Sequence, residues 1–190
     1  MTSVAVSFRH DARHSWWRAL VVLAVLIPLS QNWLPAQQDE RAVRAAFVFN
    51  LTKYVTWPHP RERLVIGVIG EGNMGPVLKQ ILDGKVSDGR RIIVLMHSSD
   101  AELRECDLLY VAESSPARIR SILDRVGSRA VLTVGDTEQF TRTGGMVGLV
   151  RSGEQIEIEV NLDALRSRQL EMSSRLLNLA VIVSASGGIR

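Results

Sequence analysis

Between Arg41 and Val55 the residues Val43, Phe47, Leu51, Tyr54 and Val55 recur at the spacing of one helical face, which predicts a helix. Thr56-Trp57-Pro58-His59-Pro60 ends it, because Pro58 drives Trp57 out of helical angles and two prolines block continuation. The β-branched run Leu64 to Ile69 then reads as a buried strand. Gly70 to Gly75 reads as a loop, and Pro76 to Leu82 as a short helix with Val77, Leu78 and Ile81 inward. Asp83-Gly84 and Asp88-Gly89 are turn dipeptides framing a small excursion, and Ile92 to Met96 and Leu108 to Ala112 are further strands.

The best-marked helix follows: Ser115 stands at its cap, Pro116 at its first position and Gly127 at its stop, around Ile119, Ile122, Leu123 and Val126. Ala130 to Val134 is a strand, succeeded by Gly135-Asp136-Thr137, a short segment around Phe140 and the tight turn Gly144-Gly145. Met146 to Val150 and Ile156 to Val160 are joined by Arg151-Ser152-Gly153-Glu154, which is hairpin chemistry. In the second of these strands Ile156, Ile158 and Val160 alternate with Glu157 and Glu159, giving one dry face and one wet face. The apolar run at the end of Ser173 to Val183 predicts a last, buried helix. This order predicts an α/β fold: a three-layer sandwich with a mostly parallel sheet, an antiparallel C-terminal hairpin and helices on both faces.

Ahead of the domain, Arg9, Arg13 and Arg18 precede the apolar run Ala19 to Ile27, which Pro28 and Ser30 break. The run is short for a membrane span and fits a secretory signal peptide, expected over residues 1–36 with cleavage after Ala36. The expected mature protein is a single domain over residues 37–190, in the periplasm. No Cys follows the run and no Arg-Arg pair precedes it, so neither a lipid anchor nor the twin-arginine route is expected. Removing Arg9, Arg13, Arg18 and Asp11 from 23 basic and 20 acidic residues leaves 20 and 19, a mature charge of +1. No basic cluster stands out, so a nucleic-acid partner is not expected. Hydrophobic residues make up 46% of the chain, enough for a core without disulfides, and Cys106 has no partner within the chain. Its expected role is that of a small buried hydrophobe.

The candidate chemistry is thin. Gly70-Glu71-Gly72-Asn73-Met74-Gly75 fits G-x-G-x-x-G between a strand and a helix. Against a dinucleotide stand Pro76, the charge of Glu71 and the absence of an acidic residue closing the second strand, where His97-Ser98-Ser99 intervenes; the motif is expected to be a turn. Asp136 ends a strand, but Lys53, Lys79 and Lys85 are the chain's only lysines and no acidic cluster adjoins it, so it is expected to cap the next turn. His59 and His97 are the only histidines beyond residue 36, at no metal-ligand spacing, and no G-x-S-x-G elbow occurs. The expectation is a protein without catalytic residues, metal or cofactor. Phe47, Phe49, Tyr54 and Trp57 crowd the first helix and its exit. Phe47 is expected in the core, and Phe49 and Trp57 on a surface that binds a partner or a second copy.

Six segments in order resemble the YfiR family of bacterial periplasmic proteins, from about Val43 to Val183. They are Ala45 to Asn50 with Lys53 to Pro58, then Cys106 to Val111, Leu132 to Asp136 and Gly144 to Val147, then Glu159 to Leu162 and Ser173 to Leu177. The positions carried over are Phe47, Asn50, Lys53, Trp57, Pro58, Gly135, Asp136, Gly144, Gly145, Asn161 and Ser174. The resemblance implies a periplasmic α/β domain, commonly a homodimer, that represses a membrane-bound diguanylate cyclase through that enzyme's periplasmic domain. It also implies release from repression by an outer-membrane lipoprotein partner, and so control of cyclic di-GMP and biofilm. Members often carry a Cys where Gly67 stands here, paired with the one matching Cys106; that bridge is impossible in this chain.

Two functions follow as expectations. The first is a regulatory binding protein acting on a diguanylate cyclase or a histidine kinase. The second is a periplasmic small-molecule sensor or enzyme using a crevice near Gly70, Asp136 and Gly144. Export itself is testable: mass spectrometry of the native product should find an N-terminus near Gln37, and a cytosolic chain beginning at Met1 contradicts it.

Overall fold

Small residues set the buried face of the first helix. In the computed structural model, which describes residues 34–97, 103 and 105–184, helix α1 spans Leu34–Tyr54 and buries Ala45, Val48, Leu51 and Thr52. The expected face is only partly kept: Leu51 and Val55 are buried and the half-buried Phe47 packs against the core, whereas Val43 is 44% exposed and Tyr54 is 37% exposed. Ala45 permits close approach to the sheet, and the Thr52 hydroxyl donates to the Phe49 carbonyl (2.6 Å) while lying 2.7 Å from Ser87 Oγ. A count of large apolar residues misses both. Residues 1–33 lie outside the described residues, and with them most of the expected signal peptide; the main compact body runs from Asp39. Among the described residues, no helix is long and apolar enough to cross a membrane.

The chain leaves α1 through β1 (Val55–Thr56) and enters β2 (Arg63–Ile69). There follow α2 (Met74–Leu82), β3 (Val86–Ser87), β4 (Arg90–His97), β5 (Leu108–Val111), α3 (Pro116–Val126) and β6 (Leu132–Gly135). The last part comprises β7 (Val147–Ser152), β8 (Gln155–Val160), α4 (Leu162–Arg166), β9 (Glu171–Met172), α5 (Ser174–Leu177) and β10 (Val181–Ile182). Eight strands form one sheet in the order β10-β8-β7-β6-β5-β2-β4-β3, and β1 pairs with β9 separately. The centre, β4 through β7, is parallel, and β3 and β8 run antiparallel to their neighbours β4 and β7.

Alternating side chains feed two cores. Leu64, Ile66, Val68, Leu108 and Tyr110 face α1 and α2, whereas Ile69, Leu109 and Val111 face α3 through Ile119, Ile122, Leu123 and Val126. This is the expected three-layer α/β sandwich with its antiparallel C-terminal hairpin. Helix α3 has the predicted bounds; Ser115 is its N-cap residue without a side-chain bond, and Gly127 closes it at φ 62°. The hairpin turn is Gly153-Glu154, with Ser152 paired to Gln155.

The expected last helix is corrected. Only Ser174–Leu177 is helical. Val181 and Ile182 instead join β8 as a parallel strand, and the Val183 N–H reaches the Val160 carbonyl at 2.9 Å. Three consecutive β-branched residues beside an unfilled strand edge gain more from pairing than from a helix.

Trp57 is the second correction, because it is only 4% exposed. Its Nε1–H donates to the Asp107 carbonyl at 2.9 Å, and the Arg90 guanidinium carbon lies 5.0 Å from its ring centroid. Pro58 does end the helix as expected, but the extended residues Val55 and Thr56 carry the indole inward over the amino end of β5. Trp57→Ala should therefore cost about 3–5 kcal/mol, as for other large buried aromatics, while Val43→Ala should stay within about 0.5 kcal/mol. Urea titrations of both variants check this.

Candidate functional site

At the carboxyl ends of the strands, the Ala112 N–H donates to the Ile69 carbonyl (2.8 Å) and the Gly72 N–H to the Ala112 carbonyl (3.1 Å). A Cβ on Gly70 would stand 2.4 Å from that Ala112 oxygen, and φ there is +113°, so only glycine suits the turn. Gly75 belongs to α2, not to the loop, and packs under Met96. The G-x-G-x-x-G segment thus closes the strand ends by backbone contact, as expected of a turn.

Asp136 also has a packing role, although not the expected turn cap. Its Oδ2 accepts the Tyr110 hydroxyl at 3.1 Å. Burial, then the Asp136 charge and this hydrogen bond, push the Tyr110 phenol well above its ordinary range, with Arg44 opposing. Arg44 donates to the Leu149 carbonyl (3.3 Å) and pairs with Glu40 (2.7 Å), which also meets Arg151 (3.1 Å). This polar chain ties α1 to β7.

Several motif positions are explained by packing. The Phe140 ring fills the space over Gly135 and Gly145, where added Cβ atoms would lie 2.4 and 2.2 Å from ring carbons. Gly144 has φ +112°. Asn161 caps α4 by accepting from the Ala164 N–H (3.0 Å) and donates through Nδ2 to the Thr141 carbonyl (3.1 Å). Thr141 in turn donates to Glu159 at 2.6 Å.

Gly67 and Cys106, the positions paired by resemblance, do adjoin: a Cβ on Gly67 would fall 2.3 Å from Cys106 Sγ. His97 Nε2 lies 3.2 Å from that sulfur. Burial above all, with the Asp107 charge, raises the thiol from 9.0 to about 11, against Arg129 and Arg61. Such a shift favours the neutral thiol at ordinary pH. Among the described residues, no group of His, Cys, Asp or Glu is placed to hold a metal ion.

The remaining motif residues are exposed. Asn50, Lys53 and Ser174 face outward. Sequence-distant pieces meet where β1 pairs with β9 and the Ser173 N–H donates to the Tyr54 carbonyl at 2.8 Å. They enclose a shallow polar cavity of about 350 Å³ walled by Lys53, Tyr54, Thr56, Glu171, Ser173 and Arg175. Lys53 Nζ sits 4.2 Å from the centroid of the half-buried Phe49 ring, which places Phe49 beside this platform and Trp57 beneath the surface. Sequence reasoning missed Tyr54, Glu171 and Arg175, because β1 and β9 are two residues each and carry no periodic signal.

The Cys106 thiol predicts a pH effect. Its neutral form is favoured by folding, so that stability is complete below pH 9 and is lost as pH rises towards 11. The loss amounts to about 2–3 kcal/mol, at about 1.4 kcal/mol per pH unit. Urea midpoints at pH 8 and pH 10.5 should show the gap between wild type and Cys106→Ala narrowing at the higher pH. A constant gap contradicts it.

No curated protein matches the chain significantly. A family match does cover the body built by these contacts, from α1 through β10: over residues 41–181 the chain belongs to the YfiR/HmsC-like family.

Proposed function

We propose that the protein is a periplasmic regulator that holds down a membrane-bound diguanylate cyclase through that enzyme's periplasmic domain, and so lowers cyclic di-GMP. The observation that carries this reading is the family match over residues 41–181. The division of labour among the motif residues supports it. Gly135, Gly144, Gly145, Asp136 and Asn161 serve packing, while Asn50, Lys53 and Ser174 are exposed. The platform of Lys53, Tyr54, Glu171 and Arg175 is the surface we assign to the cyclase, with Phe49 bracing Lys53. Its mixed charges suit a polar protein surface. A histidine kinase periplasmic domain is the other target of the same kind, and an outer-membrane lipoprotein is the partner that would relieve repression. The crevice near Gly70, Asp136 and Gly144 draws no support, since the Gly70–Gly72 backbone lies on Ala112.

Deleting the gene should raise cellular cyclic di-GMP and surface attachment, and the wild-type gene should reverse both. A Lys53→Glu, Arg175→Glu variant should fail to reverse them while retaining its melting temperature. Cys106→Ser should regulate normally and lose only about 1 kcal/mol of stability. Unchanged cyclic di-GMP on deletion, in cells that express the protein, overturns the reading.

A further inference from the structure

The amino ends of the strands, unlike the sealed carboxyl ends, hold a cavity of about 230 Å³. Asp107 and Val131 come to it from just before β5 and β6, and Arg61 from the loop that enters β2. Trp57, Ala130 and Val131 give it an apolar wall, and Arg61, Arg129 and Asp107 a charged one. The exposed His59 stands at its rim.

Backbone carbonyls hold both cations in place. Arg129 Nε and Nη2 donate to the Val126 (2.9 Å) and Arg125 (2.8 Å) carbonyls, and Nη1 to the Leu103 carbonyl (3.0 Å). Arg61 Nη1 donates to the Glu105 carbonyl at 2.6 Å. The Arg129 bonds also cover carbonyls at the end of α3, whose partial negative charge would repel an anion. Asp107 turns its Oδ2 to the Val65 N–H (2.8 Å), and Arg61 and Arg90 both counter its charge. Arg90 is only 9% exposed, lies 5.0 Å from the Trp57 ring centroid, and among the described residues its Nη1 has no hydrogen-bond partner. Three guanidinium groups thus stand around one carboxylate. Cys106, also on the cavity wall, feels the same sign: Arg129 and Arg61 both pull its thiol pKa down against burial and Asp107.

We propose that this cavity is a binding site for one small oxyanion, a phosphate or a short carboxylate. Paired oxygens match the forked N–H groups of Arg61 and Arg129, and a short apolar body fits against Trp57, Ala130 and Val131. The volume lies below the roughly 300–1,000 Å³ of sites for drug-sized ligands, too small to enclose a nucleotide. The site is separate from the Gly70 turn and from the platform of Lys53 and Arg175. Its walls include Trp57 and Asp107, which the Nε1–H···O bond joins at 2.9 Å, so an occupant braces the exit of α1 against the central strands.

In a chain processed after Ala36, Trp57 is the only tryptophan, so its emission reports on this cavity alone. Calorimetric titrations of the purified periplasmic protein with inorganic phosphate and with propionate, at constant ionic strength in chloride, should show one site per chain. Trp57 emission should shift with the same affinity, and the melting temperature should rise with anion concentration by mass action. The anion that binds more tightly identifies the headgroup. Arg61→Gln, at an exposed position, should keep the melting temperature of the anion-free protein and weaken binding by about tenfold, the loss of one charged hydrogen bond. Arg61→Lys should fall between Arg61→Gln and the wild type. Ala130→Leu fills the cavity without changing its charge and should abolish binding. Failure of both anions to bind overturns the proposal, as does binding that survives either Arg61→Gln or Ala130→Leu at full strength. None of these readouts depends on cyclic di-GMP, so this proposal and the regulatory reading fail separately.

Discussion

Asp107 joins the amino ends of three strands and the first helix's exit in one buried residue. Its N–H donates to the Val65 carbonyl (2.9 Å) and its carboxylate accepts the Val65 N–H (2.8 Å), which fastens β5 to β2. Its carbonyl accepts both the Leu132 N–H at the start of β6 (2.9 Å) and the Trp57 indole (2.9 Å). Burial raises the carboxyl's pKa, while the Val65 N–H, Arg61 and Arg90 pull it back down. An acid taken out of water needs such partners, because an unpaired buried carboxylate costs several kcal/mol. The arrangement couples the register of the central strands to the position of the residue that ends α1.

From that anchor α1 crosses the strands of the sheet. Thr52 touches Ser87 of β3, whereas Arg44 and Glu40 reach Leu149 and Arg151 of β7. Twelve residues of helix advance about 18 Å, and the five strand spacings from β7 to β3 amount to about 24 Å, so the helix runs across the strands rather than along them and the long side chains at its ends make up the difference. The ends of this path are polar and its middle is apolar, through Ala45, Val48 and Leu51. Hydrophobic burial holds the helix down, and the hydrogen bonds at either end fix its direction.

The same economy explains why motif residues separate into two groups. Gly135 and Gly145 admit Phe140, and Asn161 and Glu159 hold the intervening turn through Thr141. These residues keep the carboxyl side of the sheet closed. Exposed charge gathers where β1 and β9 meet, and among the described residues β10 pairs with β8 only at Glu159 and Val160. A domain whose strand ends are sealed presents its chemistry on edges and platforms, a form suited to binding other proteins.

The fold class was legible in the sequence because its main strands and the helix Pro116–Val126 are signalled locally, by β-branched runs, a proline at the first helical position and glycines at the stops. The turns at Gly70 and Gly153 were legible for the same reason, since a positive φ selects glycine wherever it occurs. The candidate site was half legible: Lys53, Phe49 and Ser174 stood in recognisable segments, but Tyr54, Glu171 and Arg175 joined them only through two-residue strands. The buried face of α1 depended on the small residues that the sheet would accept, which periodicity of large residues does not register. Trp57 went inward because the Asp107 carbonyl offered an acceptor across the fold. Val181 to Val183 became an edge strand because β8 left backbone groups unpaired beside them. Local patterns decide which elements form; which neighbour completes their hydrogen bonds and covers their side chains is set only when distant segments meet.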